Sequence, residues 1–282
     1  MEIIVGKTAG FCFGVKNAVD KTIDELKNNK NVYCLGELVH NRQVTDELKN
    51  KGVRFVENIE EAEENAIIRA HGVPKMVYEK ARQRNVVLKD LTCPKVLQIH
   101  KIAEEYSKKN HFIFLVGQKD HPETIGTISF CGNDSCIVED LSDIEMALEN
   151  YKKSNIKQAI VIAQTTYSLE KFNKITDLLK EKINDIEIKN TICNATRLRQ
   201  EETQELSKNV EGMIIIGGKH SSNTNKLFEI AKKYCNSVWL IETAKEIDIE
   251  KIKKIKKIGI MAGASTPQKS IEEVVDILKQ KC

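Results

Sequence analysis

None of the chain's eight cysteines stands in a Cys-x-x-Cys pair, which removes the local framework of a zinc ribbon or a ferredoxin-type cluster. Neither a Walker loop nor a Gly-x-Gly-x-x-Gly turn occurs, so nucleotides and dinucleotides lack their usual cradle. Aromatic residues make up only 5% and the net charge is only +3. Both facts argue against a base-stacking platform or a phosphate-tracking groove, and no nucleic-acid partner is expected. No apolar run is long enough to span a bilayer and no secretory signal is visible, so no membrane association is expected. Eight cysteines without a secretory signal suit a reducing cytoplasm, where thiols serve metals or catalysis rather than disulfides. Any cysteine metal centre must gather its ligands from distant parts of the chain.

What is present is ordinary globular material: 282 residues, 41% hydrophobic and 30% charged. Length suits about two domains, or three small ones. Apolar, β-branched runs recur, and each ends in a polar turn. They are Val32–Leu35, Ala66–Ile68, Phe112–Val116, Ala159–Ala163, Met213–Ile216 and Ile258–Met261. Continuous apolar runs are the mark of parallel strands buried on both faces. Helical periodicity fills the intervals, as in Ile99, Ile102, Ala103 and Tyr106, or Ile271, Val274, Val275 and Leu278. The alternation predicts an α/β fold with parallel sheets, whose ligands sit beyond the carboxyl ends of the strands. Taken in pairs, the runs give three small α/β lobes, 1–94, 95–193 and 194–282, in a pseudo-threefold trefoil around a central site. The lysines between Lys251 and Lys257 read as a solvated face.

Cys12 lies in Gly10-Phe11-Cys12-Phe13-Gly14-Val15, between a short apolar run and a helical pattern. Cys93 and Cys193 also precede helical stretches and fall at the two lobe joints. A helix start favours a thiolate, the form that binds metal. Three such thiolates can hold a [4Fe–4S] cluster by three of its irons and leave the fourth open. Spacing alone does not name the metal, and buried structural thiols are the competing reading. Cys34, Cys131, Cys136, Cys235 and Cys282 read as structural or incidental. His40, His71 and His121 follow strand ends, as do Thr165, Ser221, Ser222, Asn223 and Ser265. Such donors at helix starts suit a small anion such as a diphosphate, although each alone can be a helix cap. Glu123 lies close to a motif histidine, in His121-Pro122-Glu123, and can serve as a proton donor. His100 and His111 read as surface residues.

Several motifs come in order along the whole chain: Gly-Phe-Cys-Phe-Gly-Val, Val-His-Asn, Arg-Ala-His-Gly-Val, Thr-Cys-Pro, His-Pro-Glu, Gln-Thr-Thr, Ile-Cys-Asn-Ala-Thr followed by Arg199-Gln200, Ser-Ser-Asn-Thr and Gly-Ala-Ser-Thr-Pro. In this the chain resembles the 4-hydroxy-3-methylbut-2-enyl diphosphate reductases, which complete the methylerythritol phosphate route to isoprenoids. The resemblance implies the trefoil and one [4Fe–4S] cluster held by Cys12, Cys93 and Cys193. It implies a diphosphate held by His40, His71, Ser221, Ser222, Asn223 and Ser265, with His121 beside it. Glu123 would deliver protons, assisted by Thr165 near the substrate hydroxyl. It also implies an allylic diphosphate substrate and a one-electron donor protein, ferredoxin or flavodoxin. Lys95 and Arg197-Leu198 depart from the family pattern at positions that touch no proposed ligand. A hydro-lyase or a redox sensor would use the same cysteines, and a requirement for external reductant separates the reductase from the first.

Overall fold

The computed structural model describes residues 1–29 and 31–281; Cys282 lies outside the described residues. Among these there are twelve strands. They are β1 (Glu2–Val5), β2 (Val32–Leu35), β3 (Val53–Val56), β4 (Asn65–Ile68), β5 (Val87–Asp90), β6 (Phe112–Val116), β7 (Ser135–Val138), β8 (Ala159–Ala163), β9 (Ile186–Ile188), β10 (Gly212–Ile216), β11 (Ser237–Ile241) and β12 (Lys257–Ala262). The helices are α1 (Phe13–Asn28), α2 (Arg42–Asn50), α3 (Lys75–Gln83), α4 (Pro94–Lys108), α5 (Pro122–Ile128), α6 (Ile144–Ser154), α7 (Leu169–Lys182), α8 (Asn194–Lys208), α9 (Ser222–Tyr234), α10 (Ile249–Ile252) and α11 (Gln268–Lys281).

Three parallel four-stranded sheets result, in the orders β3-β2-β4-β5, β7-β6-β8-β9 and β11-β10-β12-β1. The six apolar runs are the two central strands of each sheet, covered on both faces as their composition requires. In the β7-β6-β8-β9 sheet, Phe112, Phe114, Val161 and Phe172 share one core, and Ile113, Leu115, Ile160, Ile162 and Ile99 another. In the β11-β10-β12-β1 sheet, Ile214, Ile216, Ile258 and Ile260 face one side, and Met213, Ile215 and Met261 the other.

Within the expected first lobe, 1–94, the N-terminal strand joins the last sheet. β1 pairs with β12, Glu2 opposite Lys257 and Val5 opposite Ile260. The N-terminal strand thus fills in the last sheet the place that β5 and β9 fill in the others. Nothing local in Glu2–Val5 specifies this partner. The chain divides into two compact units: Met1–Lys16, Val39–Glu47 and Asn194–Cys282 form one, and Asn17–Leu38 and Leu48–Cys193 the other. The first holds the β11-β10-β12-β1 sheet, and the second holds the other two.

Candidate active site

Each candidate cysteine stands between a fourth strand and a long helix. Cys12 follows β1 and precedes the 16-residue α1; Cys93 follows β5 and precedes the 15-residue α4; Cys193 follows β9 and precedes the 15-residue α8. Their backbone bonds repeat as well. The Cys12 N–H donates to Ala264 O at 3.1 Å, that of Cys93 to Ala70 O at 2.9 Å, and that of Cys193 to Thr165 O at 3.0 Å. Each acceptor lies just beyond the strand next to the cysteine's own: β12, β4 and β8. The three cysteines form no disulfide among the described residues and are half-buried. Cys93 is the N-cap of α4 and makes no side-chain capping bond. The others differ. Burial pushes the Cys34 and Cys131 thiols up to about 12, and burial with the nearby Asp143 carboxylate does the same for Cys136. The Cys235 thiol contacts Val210 O and Ser237 O. For the Cys34, Cys131 and Cys136 thiols the thiolate is disfavoured in such surroundings.

In the second unit the carboxylate of Glu123, only 1% exposed, is held by one residue. Thr165 N–H donates to Oε1 at 2.5 Å and Thr165 Oγ1 to Oε2 at 2.6 Å. The Thr165 carbonyl receives the Cys193 N–H, so one residue links the acid to a cysteine turn. Burial raises the Glu123 carboxyl to about 7, with the two Thr165 bonds acting in opposition. The Glu123 N–H donates to His121 Nδ1 at 3.1 Å, which caps α5 and leaves the proton of a neutral ring on Nε2. The His71 ring meets that of His121 edge to face, with centroids 5.5 Å apart. Gln164 ties the ends of β6 and β8: its Oε1 accepts from Gln118 N–H at 2.9 Å and its Nε2 donates to Thr166 Oγ1 at 2.8 Å. Sequence reasoning left Gln164 and Thr166 without a role, although both lie in the Gln-Thr-Thr motif.

The first unit brings His40, Ser221, Ser222, Asn223 and Ser265 to the carboxyl ends of β10 and β12. Ser265 Oγ donates to His40 O at 3.0 Å. Gly218 is needed here because a Cβ would come within 2.7 Å of the same carbonyl oxygen. The rings of His40 and His220 meet edge to face at 5.4 Å. Ser221 caps the 13-residue α9, its Oγ accepting from Thr224 N–H at 3.3 Å, so this residue does fill the helix-cap role. Asn223 does not. It is 4% exposed, and neither its amide nitrogen nor its amide oxygen has a hydrogen-bond partner. Buried amides are otherwise paired, so Asn223 is a candidate ligand contact. Asn223→Leu, of similar volume, is therefore expected to raise the stability of the ligand-free protein by about 1 kcal/mol while weakening ligand binding. Urea denaturation and a binding titration on the same variant check both halves.

His100 departs from its surface reading. It lies with Val96, Ile99 and Ala103 on the buried face of α4, 4% exposed, and stacks on Phe130 at 4.3 Å. Burial lowers its pKa to about 4, so the ring is neutral. His111 is partly exposed, with its Nδ1 3.2 Å from Lys109 O.

The family model of the LytB protein matches residues 3–279. A relative from Clostridioides difficile (strain 630), named 4-hydroxy-3-methylbut-2-enyl diphosphate reductase, is 42% identical over 282 residues, covering 99% of each chain. One of the same name from Caldanaerobacter subterraneus subsp. tengcongensis is 44% identical, covering 99% of this chain and 97% of its own. Among solved structures, one described as (E)-4-hydroxy-3-methyl-but-2-enyl diphosphate reductase, the terminal enzyme of the non-mevalonate pathway, is 39% identical with a TM-score of 0.72, covering 99% of this chain and 100% of its own. The Plasmodium falciparum reductase matches with a TM-score of 0.91 at 30% identity, covering 99% and 88%.

Proposed function

This chain belongs to the LytB protein family, and from that premise we propose that it is a 4-hydroxy-3-methylbut-2-enyl diphosphate reductase. It removes the allylic hydroxyl of its substrate reductively and gives isopentenyl and dimethylallyl diphosphates. The observation that carries this reading is the Glu123–Thr165–Cys193 connection, which ties a buried carboxyl that titrates near neutrality to a cysteine turn.

Cys12, Cys93 and Cys193 fit a [4Fe–4S] cluster in donor chemistry and in setting, as three cysteines outside any disulfide that precede long helices with the same backbone anchor. Held by these three cysteines, such a cluster would supply single electrons and Lewis acidity. The chain's own residues do the rest. Ser221, Ser222, Asn223, Ser265 and His40 offer hydroxyl, amide and imidazole donors to the diphosphate, and Asn223 gains there the partners it lacks. His71 and His121 add donors to the same ligand. Glu123 holds a proton at Oε1 or Oε2 below about pH 7 and delivers it to the departing hydroxyl, with Thr165 Oγ1 keeping the carboxyl in place. Remote binding of the diphosphate holds the reacting carbon in position.

The electrons come from a one-electron protein donor, ferredoxin or flavodoxin, in the cytoplasm. Among the described residues no helix is long and apolar enough to cross a membrane. The test is anaerobic reconstitution with iron and sulfide, followed by assay with the hydroxylated diphosphate. With NADPH alone no turnover is expected, because no dinucleotide cradle is present. Adding a reduced one-electron carrier is expected to produce both diphosphates. Steady turnover with NADPH alone, or reaction without any reductant, overturns the assignment; the latter outcome favours a hydro-lyase.

A further inference from the structure

The Arg199-Gln200 pair that closes the Cys193 motif has no part in the reaction as described, yet Arg199 is only 4% exposed. Burying a guanidinium is costly and seldom repays itself in stability. Its bonds show where it acts. Nη1 donates to Ala195 O at 2.9 Å, within its own helix α8, and Nη2 donates to Gly10 O at 2.7 Å. Gly10, with φ +95°, is the left-handed residue of the turn into Cys12.

Glu202 lies one turn further along α8 on the same face and grips the other end of that loop. Its Oε1 accepts from Lys7 N–H at 2.6 Å, and its Oε2 accepts from Thr8 N–H at 2.8 Å and from the Thr8 hydroxyl. Burial pushes the Glu202 carboxyl up, but the bonds from Thr8 and Lys7 outweigh it and hold the group below the usual range, so it is an anion at neutral pH. Between the two grips the loop satisfies itself: Gly6 N–H donates to Ile260 O at 2.9 Å and Ala9 N–H to Gly6 O at 3.1 Å. One helix therefore pins both ends of the segment that delivers Cys12, with a cation on a carbonyl at one end and an anion on two amides at the other. All of these groups belong to the first unit.

We propose that Arg199 and Glu202 are positioning residues for Cys12, holding the loop in its ligating form before any metal arrives. The proposal rests on the reading of Cys12 as a cluster ligand. A ligand fixed in advance leaves less ordering to be done on metal binding, and removing such supporting bonds typically costs about 10–100-fold in metal affinity.

The first measurement uses the metal-free protein, so it does not depend on turnover. Iodoacetamide labelling of Cys12, Cys93 and Cys193 is followed by peptide mass spectrometry in the parent, Glu202→Ala, Glu202→Gln, Arg199→Met and Arg199→Lys. Glu202→Ala and Arg199→Met are expected to speed labelling of Cys12 by about tenfold, the factor that follows from one lost charge-assisted bond, with Cys93 at the parent rate. Glu202→Gln and Arg199→Lys, which keep part of each grip, should fall between. The second measurement is chelator challenge of the reconstituted protein, in which Glu202→Ala should lose iron about 10–100-fold faster than the parent. Parent rates of Cys12 labelling in both truncations overturn the proposal. So does acceleration shared equally by all three cysteines in Glu202→Gln, since that reports general loosening. Iron retained by Cys12→Ser instead overturns the ligand reading, while the labelling result still stands or falls on its own.

Discussion

Cys93→Ser is expected to give a folded protein that retains almost no iron after anaerobic reconstitution and has no measurable turnover; Cys12→Ser and Cys193→Ser should behave alike. A serine hydroxyl does not ionise at neutral pH and is a poor ligand for the soft sites that thiolates fill. The fold does not depend on the sulfur, because the structural bond at each position comes from the backbone N–H, which serine keeps. Far-UV circular dichroism and an unfolding curve close to the parent's would establish that the loss is local. The contrasting set is Cys34→Ala, Cys131→Ser, Cys136→Ser and Cys235→Ala. These thiols are enclosed, three of them pushed up to about 12, and iron content should stay at the parent level even where stability falls. A Cys93→Ser protein with full iron and sulfide would remove Cys93 from the ligand set.

Glu123→Gln should keep its cluster and bind substrate nearly as the parent does, yet turn over about 10²–10⁴-fold more slowly, the usual worth of a lost general acid. The substitution is nearly silent structurally. The amide oxygen can still accept the Thr165 N–H, and the Thr165 hydroxyl can rotate to accept from the new NH₂. What disappears is the transferable proton. Anaerobic steady-state kinetics separate this role from a binding role, since a lost diphosphate contact raises KM while a lost proton donor lowers kcat. The pH dependence follows from the same carboxyl. The parent's rate should decline as pH rises through about 7, where Glu123 gives up its proton, and Glu123→Gln should lack that limb. Stability carries the same signature. The folded carboxyl keeps its proton up to about 7, whereas the unfolded one releases it near 4.5. The folded state therefore binds more protons between those values and loses stability as pH rises across them. Glutamine abolishes that slope.

The strands that could be read from the sequence are those buried on both faces. β2, β4, β6, β8, β10 and β12 are continuous apolar runs because every residue in them meets a core. The edge strands β5 and β9 carry no such signal. Val87 in β5 is 66% exposed, Lys89 and Asp90 follow it, and β9 spans three residues. These edge strands form because a central strand offers them hydrogen bonds. His100 was legible and was passed over: it stands at helical spacing from Val96 and Ala103, and the periodicity that buries those residues buries it too. The cysteines, histidines and Glu123 were visible as motif residues at strand ends. The role of Thr165 as the group that holds Glu123, and of α8 as the grip on the Cys12 loop, depends on hydrogen bonds between residues far apart in sequence, which no local pattern encodes.

The pairing of β1 with β12 also sets an order of events during synthesis. Glu2–Val5 is made before Lys257–Ala262, by roughly 10–50 s at ordinary elongation rates. Until then β1 has no edge to join, and the Cys12 N–H has no Ala264 carbonyl to bind. The two sheets formed by β2 to β9 can assemble before β12 is made, whereas β1 must wait for it. If Cys12 is a cluster ligand as proposed, its turn gains its backbone anchor only after Ala264 has been made.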